Sequence, residues 1–206
     1  MHFAIPLALI ACAYLLGSLS GSLLLGRLRG VDIRTQGSGN IGATNVARLL
    51  GRKKGVLTLA LDIVKGWAPM VLAAPLVQGE PRRDLIIALC GAAAVLGHMF
   101  SVYLRFRGGK GVATALGAFL ALSPLAVVGC LVVFLLTVRL SGFVSLGSLA
   151  GSAAILFFLP LLGAPAWKLQ LAAFIVALIW AKHYQNISRL VRGTEKSWKQ
   201  RDRAEE

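Results

Sequence analysis

Long apolar runs alternate along the chain with short polar stretches rich in glycine and basic residues. The runs are Phe3–Gly26, Val56–Val77, Leu85–Tyr103, Val112–Val138, Phe143–Leu162 and Ala166–Ala181. A helix needs ~20 mostly apolar residues to cross a bilayer. Strand-like alternation is absent from these runs, and backbone in lipid must satisfy its own hydrogen bonds, so the runs predict helices. Within Val112–Val138, Ser123-Pro124 predicts a break, because proline removes a donor and restricts the residue before it. The expectation is an all-α integral membrane protein, a bundle of seven transmembrane helical segments, some of them short. With no internal repeat and no low-complexity linker, a single domain over residues 1–206 is expected, its basic tail starting at about residue 190.

Composition sharpens this picture. Of 206 residues, 57% are hydrophobic, and the mean hydropathy is +0.75. Soluble domains are roughly half apolar or less, so the excess requires lipid as solvent. The formal charge of +14 raises the question of nucleic acid. The basic residues sit in clusters between apolar runs, not along an aromatic-studded groove, so no nucleic-acid partner is expected. Arg27–Lys54 holds seven Lys and Arg, and Lys182–Arg203 another seven. Positive-inside bias places both on the cytoplasmic side, with the N-terminus outside and the C-terminus inside. No Lys or Arg precedes the first run, only Met1 and His2, and the run is longer than a signal-peptide core, so it is read as a retained helix. Cys12, Cys90 and Cys130 all lie inside apolar runs. Their spacing offers neither a disulfide framework nor a zinc site, and neither metal nor cofactor is expected.

Three polar segments fall on the side that this topology makes cytoplasmic. They are GSGNIGATN at 37–45 followed by Arg48, RFRGGKG at 105–111, and HYQN at 183–186 followed by Arg189. Glycines and small polar residues let backbone N–H groups converge on an anion. The helix that follows such a loop adds partial positive charge at its N-terminus. Arg48, Lys110 and His183 supply formal or titratable charge, while Ser38, Thr44, Asn45 and Asn186 supply neutral donors. Gly39, Asn40, Arg107, Gly108, Gly109 and Gly111 complete the candidate phosphate-binding set. No carboxylate lies in any of the three segments, as suits an anionic substrate. Each also has a plainer reading: tight turns for the glycines and topogenic charge for the basic residues.

Other patterns do not survive. Gly37-x-Gly39-x-x-Gly42 matches a dinucleotide fingerprint, but no strand precedes it and a membrane helix is expected after it. Asp62 and Lys65, at i and i+3, fit either a pocket wall or a structural ion pair. Gly142, Gly147 and Gly151 fit close helix packing better than a groove for an apolar chain.

These segments resemble the signature motifs of the acyl-phosphate:glycerol-3-phosphate acyltransferases, the PlsY family. The matching stretches are GSGNIGATNVAR at 37–48, GHMFSVYLRFRGGKGVAT at 97–114 and HYQNISRL at 183–190, with support from LDIVKG at 61–66 and YLLGSLSGSLLLGRL at 14–28. Ile41, Ser101 and Ser20 stand where that family commonly has proline. The resemblance implies acyl transfer from acyl phosphate to the 1-hydroxyl of sn-glycerol 3-phosphate, in the bacterial cytoplasmic membrane and in contact with its lipids. It implies catalytic roles for Ser38, Arg48, Lys110, His183 and Asn186, close backbone approach at Gly108 and Gly109, and a supporting role for His98. The rival readings are an organic-phosphate transporter and an acyltransferase using acyl-CoA or acyl-carrier protein. A transporter predicts inverted repeats and a midplane site, neither of which the motifs suggest.

Overall fold

The computed structural model describes residues 4–198. The start of the first expected run, and Lys199, Arg201 and Arg203 of the expected basic tail, lie outside the described residues. Among the described residues every regular element is helical: α1 Ala4–Ser18, α2 Gly21–Arg27, α3 Ala43–Leu50, α4 Arg52–Leu76, α5 Arg83–Met99, α6 Val112–Leu122, α7 Pro124–Ser141, α8 Val144–Leu161, α9 Ala166–Lys182 and α10 Tyr184–Val191. One 3-10 turn, Val102–Leu104, follows α5.

Among the described residues, five stretches are long and apolar enough to cross a membrane: Ala4–Arg27, Arg52–Leu76, Arg83–Leu104, Pro124–Ser141 and Val144–Leu161. Their outward faces confirm the solvent. On α7, Leu125 is 71% exposed and Leu140 81%, with Val128, Val132, Leu135 and Leu136 between them. A row of this kind is stable only against lipid tails. The chain is an all-α integral membrane protein.

Two helix boundaries show local chemistry at work. The expected break at Ser123-Pro124 is present: α6 ends at Leu122, and Pro124 opens α7 at a position where no amide donor is needed. A second break was not expected. The first run parts at Leu19-Ser20, where the Ser20 hydroxyl caps α2 by accepting from the Leu23 amide at 3.4 Å. The Leu19 carbonyl freed by the break accepts from Lys65 Nζ of α4 at 2.9 Å. A tertiary contact, not the hydropathy pattern, completes that interruption.

The chain forms two compact units, Met1–Leu122 and Ser123–Glu206. In the first, α1 packs on α5, and α4 packs on α3, α5 and α6. Gly66 and Gly117 let α4 and α6 touch through backbone; a Cβ on either would strike the carbonyl of Thr114 or Ile63. Such contact replaces a hydrophobic driving force that lipid does not provide. In the second unit α7 packs on α8, and α8 on α9 and α10. Gly147 and Gly151 face Phe134 of α7 closely, so they serve helix packing, while Gly142 ends α7 at φ 79°.

The helix expected to continue from the 37–45 loop into the membrane differs from expectation. It is α3, only eight residues long and amphipathic, with Asn45, Val46 and Ala47 buried and Arg48 in its last turn. Eight residues rise about 12 Å, far short of the ~30 Å hydrocarbon core. The membrane helix begins only after Gly51.

Candidate active site

The loop before α3 is built around Asn45. Its Oδ1 accepts from the Ser38 amide at 2.9 Å, and its Nδ2 donates to the carbonyls of Ile33 at 3.2 Å and Gln36 at 3.1 Å. The residue is 1% exposed. The amide was expected as an anion donor; its geometry instead ties three backbone groups of the loop together. Gly37 and Gly39 turn the chain at φ 66° and 68°, a conformation costing an L side chain roughly 1–2 kcal/mol. Asn40 Oδ1 accepts from the Gly42 amide at 3.1 Å. The result presents Ser38 on an exposed loop, with Thr44 and Arg48 half-buried on α3.

Ahead of this loop, Asp32 accepts from the Arg34 side chain at 3.0 and 2.9 Å and from its amide at 3.0 Å. Those bonds hold the Asp32 carboxyl down at about 2. Depressed in this way, it keeps the turn tied at neutral pH and releases it only as pH falls through about 2.

Asn45→Ala is expected to leave the Ser38 amide and two carbonyls without their partner, each unmade bond costing about 1–3 kcal/mol when buried. A lower unfolding midpoint in detergent and faster proteolysis within residues 33–42 would show it. Unchanged values for both would remove this role.

The second loop folds back on the end of α5. Gly108 N donates to the Met99 carbonyl at 3.2 Å, and Gly109 N to that of His98 at 3.0 Å. A Cβ at Gly108 would strike the His98 carbonyl, one at Gly109 the His98 ring, and one at Gly111 the Met99 side chain. Arg105 and Phe106 take positive φ, 49° and 64°, which the Phe106 N–H bond to the Ser101 carbonyl at 2.8 Å supports. Ser101 itself donates to the Ser18 carbonyl at 2.7 Å. Arg107 projects from the exposed part of the loop, and Lys110 sits half-buried among the glycines.

His98 joins that loop to α4. Its Nδ1 lies 3.7 Å from Asp62 Oδ1, which also pairs with Lys65 Nζ at 2.8 Å. Both alternatives for Asp62 and Lys65 were left open by spacing alone; the structure shows a buried ion pair whose members also reach His98 and the Leu19 carbonyl. The trio therefore braces the glycine loop and the α1–α2 break together.

In the second unit, His183 ends α9 and precedes α10. It is 2% exposed, with Nδ1 2.8 Å from the Ile179 carbonyl. A carbonyl only accepts, so Nδ1 carries a proton in this contact. Asn186 Nδ2 donates to Glu195 Oε1 at 2.6 Å, and Arg189 Nε donates to Glu195 Oε2 at 2.6 Å. Burial pushes the Glu195 carboxyl up, but hydrogen bonds from Ser145, Asn186 and Arg189 outweigh it and hold the group below the usual glutamate range. Neither Glu195 nor Ser145 figured among the expected residues. The available signal was a lone carboxylate in a basic stretch, nine residues after Asn186. No cluster of His, Cys, Asp or Glu able to hold a metal ion occurs among the described residues.

Within the first unit, then, loop chemistry gathers Ser38 with Asn45, and Gly108, Gly109 and Lys110 with His98, Asp62 and Lys65. Within the second, Asn186 and Arg189 are joined through Glu195. Comparison with known proteins gives this set its context. A family model described as glycerol-3-phosphate acyltransferase matches residues 7–193. A glycerol-3-phosphate acyltransferase of Desulfotalea psychrophila is 54% identical over 201 residues, spanning 98% of this chain and all of its own. Another, of Trichlorobacter lovleyi, is 52% identical and covers 92% of this chain and 96% of its own. Among solved structures, PlsY, an integral membrane glycerol 3-phosphate acyltransferase in its glycerol 3-phosphate form, superimposes with TM-score 0.88 at 42% identity over 93% of this chain and 94% of that one. Its lysophosphatidic acid form gives TM-score 0.86 at the same identity and coverage. With near-complete coverage in both sequence and fold, this chain belongs to the glycerol-3-phosphate acyltransferase family.

Proposed function

We propose that the protein transfers an acyl chain from acyl phosphate to the 1-hydroxyl of sn-glycerol 3-phosphate, giving lysophosphatidic acid and inorganic phosphate. The observation carrying this reading is the likeness, in fold and at 42% identity, to one enzyme captured in both a glycerol 3-phosphate and a lysophosphatidic acid form. The family match runs through both compact units, which supports one acyltransferase domain.

The chemistry asks little of the protein. In an acyl phosphate the carbonyl carbon already bears a good leaving group, so no enzyme nucleophile is required. The substrate hydroxyl attacks that carbon, the C–O bond to phosphate breaks, and the phosphate departs with the bonding pair. Arg48 and Lys110 stabilise the anionic groups and the developing oxyanion, and the Ser38, Gly39, Asn40, Thr44, Gly108, Gly109 and Gly111 loop atoms add donors. Arg107 adds charge at the mouth. Asn45 acts through the loop it ties, not as a direct ligand. His183 and Asn186 complete the catalytic set.

The hydroxyl proton passes either to His183 Nε2 or to a phosphate oxygen of a substrate. If His183 is the base, His183→Ala should lower kcat about 10²–10⁴-fold. A loss under about tenfold assigns the proton to the substrate phosphate.

The reading extends to topology. Seven apolar segments, counting α6, α7 and α9 separately, would take the chain from an outside N-terminus to a cytoplasmic C-terminus in the bacterial inner membrane. The motif-bearing loops would then open to the cytoplasm, where the soluble substrate is, while acyl chains stay among the helices and lipid. At eleven residues α6 rises about 16 Å, so its crossing needs locally thinned bilayer.

The decisive experiment supplies purified, detergent-solubilised protein with labelled glycerol 3-phosphate and, in parallel, acyl phosphate, acyl-CoA and acyl-carrier-protein donors. Lysophosphatidate from acyl phosphate alone is the expected result. Product from either of the other donors alone would overturn the donor assignment.

A further inference from the structure

The fastenings of the glycine loop lead back to the end of α1. Tyr14 donates to the Phe100 carbonyl at 2.7 Å, and Ser101 Oγ to the Ser18 carbonyl at 2.7 Å. The Ser101 carbonyl in turn accepts from Phe106 N at 2.8 Å. Farther along, the amides of Gly108 and Gly109 return to the Met99 and His98 carbonyls, and the His98 ring lies directly against Gly109. Helices α1 and α5 themselves meet through backbone. A Cβ at Gly17 would strike the Ala94 carbonyl, and one at Gly97 the Tyr14 carbonyl. The end of α1 is therefore a fixed platform for the loop.

The break at Leu19-Ser20 adds a fastening that runs through a third helix. The Leu19 carbonyl accepts from Lys65 Nζ at 2.9 Å, Lys65 pairs with Asp62 Oδ1 at 2.8 Å, and that oxygen stands 3.7 Å from His98 Nδ1. The side chains of Asp62 and His98 are 6% and 5% exposed. Two apolar side chains would fill the same space without desolvating two charges, so packing alone does not account for the pair. What the charges add is direction. A carboxylate held by an ammonium keeps an acceptor facing one edge of the His98 ring. Gly109 sits at the other edge, against Nε2. The ring is thus set from one side by Asp62 and met on the other by the backbone that carries Lys110.

We propose that Asp62 is a positioning residue for acyl transfer, acting through the His98 ring to hold the Gly109-Lys110 backbone, with Lys65 anchoring it to the break between α1 and α2. This rests on the reading of Lys110 as a catalytic residue. The interruption of the first span then has a use: it frees the carbonyl on which this series of contacts ends.

The test measures kcat, KM for glycerol 3-phosphate and the melting midpoint in one detergent. The variants are Asp62→Asn, Lys65→Met, the two combined, and Lys110→Ala with and without that combination. Either single change at the pair leaves one buried charge without its partner, and melting should fall. Combined, they remove both charges, and melting should return to near wild type. Activity should not return with it. The combined variant should stay on the order of 10–100-fold down in kcat, as small misplacements of catalytic groups do, with KM within about threefold. That is a milder copy of the pattern expected for Lys110→Ala. In the Lys110→Ala background the combination should cost less than about threefold further, since it acts through Lys110.

Recovery of kcat together with melting would overturn the proposal, because the pair would then serve stability alone. A loss confined to KM would overturn it as well, and so would a full additional loss in the Lys110→Ala background, which would show that Asp62 acts through something else. Wild-type activity in Lys110→Ala would remove the catalytic reading of Lys110 and the proposal with it. An impaired Lys110→Ala beside a fully active combined variant would remove only the proposal. Should the combined variant fail to fold, His98→Asn replaces it. Asparagine keeps a polar side chain toward Asp62 but withdraws the ring from Gly109, so kcat should fall in a protein that still melts cooperatively, and unchanged kcat would count against the role.

Discussion

Lys110→Ala should lower kcat/KM for acyl transfer about 10³-fold, or about 4 kcal/mol of transition-state stabilisation. The reason is positional. Gly108 and Gly109 bring the backbone against the end of α5, and Gly111 leaves the loop at φ 80°. The side chain between them is half-buried, where a cation acts through a lower dielectric than at an open surface. In the proposed reaction both substrates bring phosphate, and negative charge grows on the carbonyl oxygen and the leaving group. An ammonium near those atoms is more useful in the transition state than in the ground state, so kcat should fall more than KM rises. Lys110→Arg should recover little, because the planar guanidinium is bulkier and directs its donors differently. The measurement is steady-state lysophosphatidate formation, with a melting curve in the same detergent as the folding control. Activity within tenfold of wild type in Lys110→Ala would remove Lys110 from the catalytic set.

Gly108→Ala should have the next largest effect, although it deletes no chemical group. The added Cβ would meet the His98 carbonyl and the Met99 backbone, neither of which can rotate aside. To relieve the clash the loop must move, breaking the amide bonds from Gly108 to Met99 and from Gly109 to His98. Overpacking of this kind costs about 1–3 kcal/mol, which a helical membrane unit can absorb while staying folded. Catalysis tolerates less. A displacement near 1 Å can cost about 10²-fold, and Lys110 would shift with the loop. The expected result is a loss of roughly 10²-fold in kcat/KM beside a modest fall in melting midpoint. Normal activity would show that the backbone approach at Gly108 is not needed.

The contrast between these variants reflects what could be read from residues alone. Ser38, Arg48, Lys110, His183 and Asn186 stood out as candidates because charge, small size and glycine content in an apolar chain are what an anion-binding loop requires. The roles of neighbouring residues were less legible. Asn45 looked like one more neutral donor, and only its three bonds to Ser38, Ile33 and Gln36 make it the tie of its own loop. Asp62 and Lys65 were an obvious helical pair, but His98, thirty-six residues on, joins them through a packing of α4 against α5 that no local spacing encodes. Glu195 lay hidden in a charged stretch that by composition reads as solvent-exposed.

The sequence by itself determined the all-helical membrane class, the apolar segments, the break before Pro124 and the three polar loops. Each of these follows from short-range physics: transfer of side chains to lipid, backbone hydrogen bonding within a helix, and the geometry of proline and glycine. Tertiary structure decided the interruption at Leu19-Ser20, the short amphipathic α3, the bracing of the glycine loop by His98 and the clasp on Asn186. Those depend on which helices lie side by side, and a buried carbonyl, amide or carboxylate takes its partner from whatever donor that packing brings within 3 Å.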